Sequence, residues 1–241
     1  MPGLTDVHTH IIYGIDDGAA SLEVMLKMID AAYENGVRTI FATSHQTPGY
    51  QAFDLDTYLA HLDEAREYCR TQGYDLEILP GAEHLYTPAM RNVAEEGTLQ
   101  TLGDTDTILI EFVPDVPYSD ICAAIELLHH AGYRPMLAHI ERYACLAPKL
   151  LGRGKAYELK KKYRNLLFQV NCRSVLEAVK QESGYGRAVH KWLKDGLIDA
   201  VASDMHDCKH RRNRMAEARD VLIRICGKSY ANELMSFSNK D

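Results

Sequence analysis

Seven short apolar runs, rich in β-branched residues, recur along the chain at intervals of roughly thirty residues, with amphipathic segments between most of them. They are LTDVHTH (4–10), VRTIFATSH (37–45), LEILPGAEH (76–84), TILIEF (107–112), RPMLAHI (134–140), LLFQVN (166–171) and DAVASDMH (199–206). Alternation of this kind predicts parallel strands joined by helical crossovers, an α/β fold. The clearest helix follows the first run. There Leu22, Met25, Leu26, Ile29, Ala32 and Tyr33 share a helical spacing, Ser21 can cap the start and Gly36 can stop it. A second helix is expected over 56–72, with Tyr58, Leu59, Leu62, Ala65 and Cys69. Seven such units suit a β/α (TIM-like) barrel, and no linker divides the 241 residues, so one domain spanning 1–241 is expected.

The last polar residue of each run is, in order, His10, His45, Glu83, Glu111, His139, Asn171 and Asp204. In a β/α barrel these C-terminal strand ends meet at one mouth, where the chemistry is hosted. Strand alternation points His8 the same way as His10. With Asp17 and His206 close by, nine candidate metal ligands result: His8, His10, Asp17, His45, Glu83, Glu111, His139, Asp204 and His206. Imidazole and carboxylate together suit borderline divalent ions such as manganese, iron or zinc, and no cysteine at these positions suggests a closed structural zinc site. Nine ligands exceed the needs of one ion and match two or three, with Glu83 as a bridge.

Three divalent ions would bring six positive charges against the four carboxylates Asp17, Glu83, Glu111 and Asp204. The surplus of two matches a phosphate monoester dianion. A bound ion lowers the pKa of its water to about 7, so hydrolysis of an anionic ester is the chemistry expected. Arg142, in AHIERY, and Arg211, in HDCKHRRNR, are the candidate phosphate clamps.

Other signals are weaker. The formal charge of −7 opposes broad nucleic-acid binding. Six cysteines without a CxxC pair read as free thiols in a reducing cytoplasm. No basic leader and no apolar run of about 18 residues predicts membrane insertion, so the chain is expected in the cytoplasm. Cys208 and Arg214 form a C-x5-R string, but CKHRRNR has no glycine with which to cradle phosphate. His61, His129, His130 and His190 lie in helical segments as surface or packing residues, and His84 should face away from Glu83. KKKY (160–163) reads as a solvated helix face. Asp16 either orients its loop or a ligand or touches metal, His210 has no assigned role, and Asn171 is expected to bond a ligand residue.

DVHTHI, GIDDGA, GVRTI, TSH, GAE, IEF, AHIERY, QVN, ASDMH and MAEA occur in an order that resembles the polymerase and histidinol phosphatase (PHP) superfamily. Within it, IDDGA and AHIERY are most similar to the manganese-dependent bacterial protein-tyrosine phosphatases of capsule and exopolysaccharide loci. The resemblance spans 6–218. It implies a distorted seven-stranded barrel and three divalent ions, manganese first. His8, His10, Glu83 and Asp204 would hold one ion, Glu83, Glu111 and His139 the second, and Asp17, His45 and His206 the third. It also implies attack on phosphorus by a hydroxide bridging the ions, with a phosphorylated bacterial tyrosine kinase as partner. The alternatives are a small-molecule phosphatase of the histidinol-phosphate type, a metal-dependent amidohydrolase, or an inactive PHP module. Two stretches depart from the pattern. DCKHRRNR after the last strand is unusually basic, and SFSNKD replaces the family's closing Asn-Pro stretch, so a short last packing element is expected.

Overall fold

Each apolar run becomes a strand because one set of its side chains packs against covering helices while the alternate set fills the space between strands. The computed structural model describes residues 3–50, 52–147, 154–180 and 182–237; the last residues of SFSNKD, 238–241, lie outside these. The strands are β1 (Leu4–Thr9), β2 (Val37–Gln46), β3 (Glu77–Leu85), β4 (Thr107–Glu111), β5 (Arg134–Leu137), β6 (Leu167–Asn171) and β7 (Ala200–Ala202). They pair in parallel and in sequence order. β7 runs back to β1, where Asp204 N donates to His8 O and His10 N to Met205 O, both at 2.9 Å. A parallel bridge between Thr9 and Met205 continues that seam, so the sheet is a nearly closed TIM-like barrel.

The helices among the described residues are α1 (Leu22–Glu34), α2 (Leu55–Gln72), α3 (Met90–Glu95), α4 (Tyr118–His130), α5 (Lys155–Lys162), α6 (Cys172–Ala178), α7 (Gly184–Lys194), α8 (Met215–Cys226) and α9 (Lys228–Leu234). Ser21 caps α1 by accepting from Val24 N, and Gly36 leaves the helix with φ +82°, a conformation open to glycine at no steric cost. Leu22 and Leu59 do not join the buried faces of α1 and α2. Leu22 sits in the first turn of its helix, and Leu59 is one step round from Tyr58, Leu62, Ala65 and Cys69.

The core has two layers. A large outer cluster lies between strands and helices. A smaller inner one takes Val7, Phe41, Leu109, Met136, Leu167 and Ala200 from six strands, with Leu79 of β3 against them. This apolar plug fills the lower barrel and excludes water beneath the polar mouth.

Two strands end earlier than the sequence suggests. β5 stops at Leu137 because the chain turns left-handed at His139 (φ +30°), whose N donates to the Gln169 side chain at 2.7 Å instead of to a neighbouring strand. β7 stops at Ala202 because Ser203 N donates to Asp6 Oδ1 at 2.9 Å, after which Asp204 also turns left-handed (φ +51°). Non-glycine residues at positive φ cost of order 1–3 kcal/mol each and persist where the surroundings over-determine them. Both lie at the mouth.

Asp6 is wholly buried and clasps the barrel seam. Besides Ser203 N, it accepts from Asn213 Nδ2 at 3.2 Å, so it joins positions 197 and 207 apart in the chain. Burial pushes its carboxyl up to about 6, against the pull of Ser203 and His8. Asp6→Ala leaves a buried N–H and a buried amide unpaired. It should lower the unfolding free energy by about 2–4 kcal/mol, read from the urea midpoint. An unchanged midpoint would remove Asp6 from the closure of the barrel.

Candidate metal centre

Glu83 lies at the centre of the mouth. Strand register places it level with His45 of β2, and parallel partners project to the same side of a sheet. Glu83 Oε2 is 3.0 Å from His8 Nε2, 3.2 Å from His10 Nε2 and 3.2 Å from His45 Nδ1, while Oε1 is 2.9 Å from His139 Nε2. Glu111 stands 3.3 Å from His45 Nδ1. Asp17, on the loop after β1, reaches His45 Nε2 at 3.3 Å and His206 Nε2 at 3.4 Å. Asp204 Oδ1 lies 3.5 Å from His8 Nε2. All nine candidate ligands meet in one place. His8, His10, Glu83, His139, Asp204 and His206 form its buried floor, and Asp17 the exposed rim.

The donor atoms fall into overlapping groups with all separations within 4.8 Å. One joins His8, His10 and Asp204; another His8, Glu83 and His139; a third His45, Glu83 and Glu111; a fourth His10, Asp17, His45 and His206. His8, His10, His45 and Glu83 thus each stand in two groups, more sharing than the three sets implied by the family resemblance, in which only Glu83 is shared.

Both arginines arrive at Asp204. Arg142 Nη2 donates to Oδ2 at 2.6 Å and Arg211 Nη2 to Oδ1 at 2.8 Å. Asn171 Nδ2 adds a third bond at 2.7 Å, the role expected of it. Both arginine side chains remain over a third exposed, at the lip of the mouth. Asp16 orients its neighbours: Oδ2 accepts from His10 Nδ1 and His45 N, both at 2.8 Å, and Oδ1 from Gly18 N at 3.0 Å. IDDGA needs its glycine because a Cβ at Gly18 would collide with the His10 carbonyl oxygen. Sequence reasoning missed Gln169. Its Oε1 accepts from His139 N and, at 3.3 Å, from His8 Nδ1, and its Nε2 donates to Asn171 Oδ1 at 2.8 Å. The signal was there in strand alternation, since Gln169 shares its face of β6 with Asn171.

The remaining candidates separate cleanly. His84 faces away and bonds Gln100 O at 2.9 Å, and burial lowers its imidazole to about 4. His61 bonds Tyr13 O and stacks on Tyr13, and His130 bonds Glu126 O on its own helix. His210 is exposed beside the arginines and joins none of the donor groups. Cys208 sits on an exposed loop, with its thiol raised by partial burial and by Asp207, while Arg214 pairs with Glu217. α8 does start directly after Arg214, but the segment before it has no glycine to cradle phosphate and Arg214 is engaged by Glu217, which argues against the cysteine-phosphatase reading.

A family model described as "Capsular polysaccharide synthesis, CpsB/CapC" matches residues 4–241. The chain belongs to the CpsB/CapC family. It is 30% identical over 236 residues to the tyrosine-protein phosphatase CpsB of Streptococcus agalactiae, covering 96% of this chain and 94% of that one. It is also 30% identical over 232 residues to the tyrosine-protein phosphatase YwqE of Bacillus subtilis, covering 93% and 85%. Among solved structures it resembles the metal-dependent tyrosine phosphatases YwqE from Bacillus subtilis and CpsB from Streptococcus pneumoniae, with TM-score 0.81 and 29% identity over 96% of this chain and 91% of that one. The histidinol phosphate phosphatase of Lactococcus lactis shares the barrel, at TM-score 0.58 and 16% identity, covering 93% and 94%.

The donors in this CpsB/CapC chain fit divalent ions on their own geometry. His8 Nε2 and His10 Nε2 stand 3.1 Å apart, and two nitrogens about 2.1 Å from one ion at right angles lie about 3 Å apart. Gln169 and Asp16 accept from the Nδ1 atoms of these rings, which leaves both Nε2 atoms turned into the mouth. His206 Nε2 is buried there with no hydrogen-bond partner. Burial disfavours imidazolium at His8, but Glu83 and Asp204 outweigh it and lift the group to about 9. Asp16 and Glu83 do the same at His10, also to about 9. Glu83, despite its burial, is held well below the usual carboxylate range by His8, His10 and His139. Burial and the neighbouring His10 push His206 the other way, to about 3.

Ions held by His8 and His10 would therefore have to displace protons from them. Below about pH 9 each raised group binds a proton that the ion expels, so affinity rises with pH. Apparent affinity should climb by up to ~100-fold per pH unit between pH 6 and 8, with about two protons released, measured by titration calorimetry in buffers of different ionisation enthalpy. Affinity flat across that range would contradict the assignment. Gln169→Leu should weaken ion binding by roughly 10- to 100-fold in the same experiment while the circular dichroism spectrum is kept.

Proposed function

We propose that this chain, read as one domain over 1–241, is a metal-dependent protein-tyrosine phosphatase. Its substrate is phosphotyrosine on a partner tyrosine kinase that controls capsular or exopolysaccharide synthesis, in the cytoplasm. No helix among the described residues is long and apolar enough to cross a membrane. The observation that carries the reading is the meeting of nine nitrogen and carboxylate ligands with two arginines at one barrel mouth.

His8, His10, Asp17, His45, Glu83, Glu111, His139, Asp204 and His206 would hold the ions, three by their number, with manganese first and iron or zinc as substitutes. Divalent ions at such a site supply Lewis acidity and an ionised water at neutral pH. The protein's own side chains do the rest. Arg142 and Arg211 each spend one N–H on Asp204, and a guanidinium carries five, so both keep donors for phosphate oxygens. That grip fixes the ester at the lip, with phosphorus facing the floor and the phenol facing solvent. A tyrosine leaving group with pKa near 10 needs less protonation than an alkyl alcohol. Glu83 and Asp204 stay ionised and aprotic through neutral pH, as anionic ligands must.

A small-molecule phosphatase shares the barrel, but the curated relatives that match along this chain are named tyrosine-protein phosphatases. An amidohydrolase with a modified lysine on its fourth strand is disfavoured by Glu111 at that strand end. The test is turnover of phosphotyrosine peptides, phosphoserine peptides and histidinol phosphate, with metal analysis of the purified protein. Phosphotyrosine should be preferred, activity should vanish with EDTA and return with Mn2+, and His10→Ala or Asp204→Asn should lower kcat by at least ~10³-fold. Cys208→Ser should turn over normally. Preference for histidinol phosphate would replace the substrate assignment.

A further inference from the structure

The basic stretch DCKHRRNR lies wholly outside the donor groups of the mouth, although its Arg211 bonds one donor, Asp204. In the structure it forms one wall of a cleft of about 750 Å³ that opens from the lip of the mouth, where Arg142, Asn171, Asp204 and Arg211 line its inner end. The opposite wall is α6 and the turn after it. Beyond the two site arginines, the cleft is lined by Arg173, Lys180, Lys209, Arg212 and Arg214. Seven cationic side chains thus face two carboxylates, Asp204 and Glu177, a net of five positive charges in a chain whose formal charge is −7. Glu217, pairing with Arg212 and Arg214, reduces the net to four. Arg173 pairs with Glu177. Among the described residues, no carboxylate lies within ion-pair distance of Lys180 or Lys209, which stand exposed on the two walls.

One phosphate monoester does not need this charge, since Arg142, Arg211 and the ions already balance it. We propose that the cleft is an anion subsite for the peptide carrying the scissile phosphotyrosine: it binds a second anionic group on the same chain, a phosphate or a carboxylate. The proposal rests on the phosphotyrosine reading and narrows its substrate class to peptides with clustered negative charge. The cleft's inner end is the scissile site's own lip, so a peptide whose phosphate is held by Arg142 and Arg211 runs directly between the lysines. A long nucleic acid is a poorer occupant. With the cleft's net of four positive charges set apart, the rest of the chain carries −11, and that field opposes any polyanion extending beyond it. Long-range attraction of this kind acts on encounter and on KM more than on the chemical step.

The test compares four peptides of one sequence in the metal-loaded enzyme: singly phosphorylated with neutral flanks, singly phosphorylated with glutamate flanks, doubly phosphorylated, and a non-hydrolysable doubly charged phosphonate. The wild type should show KM roughly 10-fold lower for the doubly phosphorylated peptide than for the neutral one, with kcat similar. Charge reversal at the exposed pair, Lys180→Glu with Lys209→Glu, should bring that preference to within about twofold, whereas Lys161→Ala on the solvated face of α5 should leave it intact. If the glutamate peptide matches the doubly phosphorylated one, the subsite reads charge; if it lags, the subsite selects phosphate. Phosphonate binding, followed by fluorescence anisotropy, tests the cleft without turnover. An enzyme inert to phosphotyrosine that still binds the phosphonate through the lysines would sink the activity and keep the subsite. Equal KM values in the wild type, a preference surviving charge reversal, or tighter binding of a single-stranded oligonucleotide than of the phosphonate at 150 mM salt would overturn it.

Discussion

Glu83 is the point on which the mouth of this barrel depends. A buried carboxylate with four imidazoles at hydrogen-bond distance is tolerable only because positive charge surrounds it. In the ion-free chain that charge is protons on His8 and His10; in an ion-loaded one it would be metal. The same geometry that stabilises the empty protein would thus suit a filled one, with protons and ions competing for a single arrangement. Asp204 repeats the pattern elsewhere on the buried floor, where arginines from the lip replace part of the imidazole.

The supporting groups set precision. Gln169 bonds a ring on β1 and a backbone N–H after β5, so one amide ties three strands together at the level of the site. Asp16 does the equivalent for β1 and β2. Neither side chain belongs to a donor group, and both decide which ring nitrogen a ligand presents. The inner apolar plug beneath them keeps water from the floor and sharpens every electrostatic contact above it.

Much of this was legible in the sequence, because strand ends in a β/α barrel must converge and His10, His45, Glu83, Glu111 and Asp204 are poor choices for packing alone. Alternation correctly separated His84 from Glu83. What alternation could not supply was the backbone after β5 and β7. His139 and Asp204 adopt positive φ because side chains from other strands, Gln169 and Asp6, capture the amide groups that regular pairing would use. Such capture depends on partners far away in the chain, and no local pattern encodes it. Asp6 was hidden for the same reason: within LTDVHTH it is one polar letter among several, and its partners lie some two hundred residues downstream.

That distance bears on how the protein is made. Synthesis runs from the amino terminus, so His8 and His10 emerge early, yet the carboxylate that completes their group is almost the last part of the barrel to leave the ribosome. Until β7 docks on β1, the first strand has a raw edge, an unfilled aspartate and two histidines facing no floor. Completion of the donor groups that contain Asp204 and His206 therefore waits on ring closure, slow in the way that pairings between chain ends are slow. A nascent chain stalled before residue 200 would carry seven of the nine donors but lack Asp204 and His206, leaving two of the four donor groups incomplete.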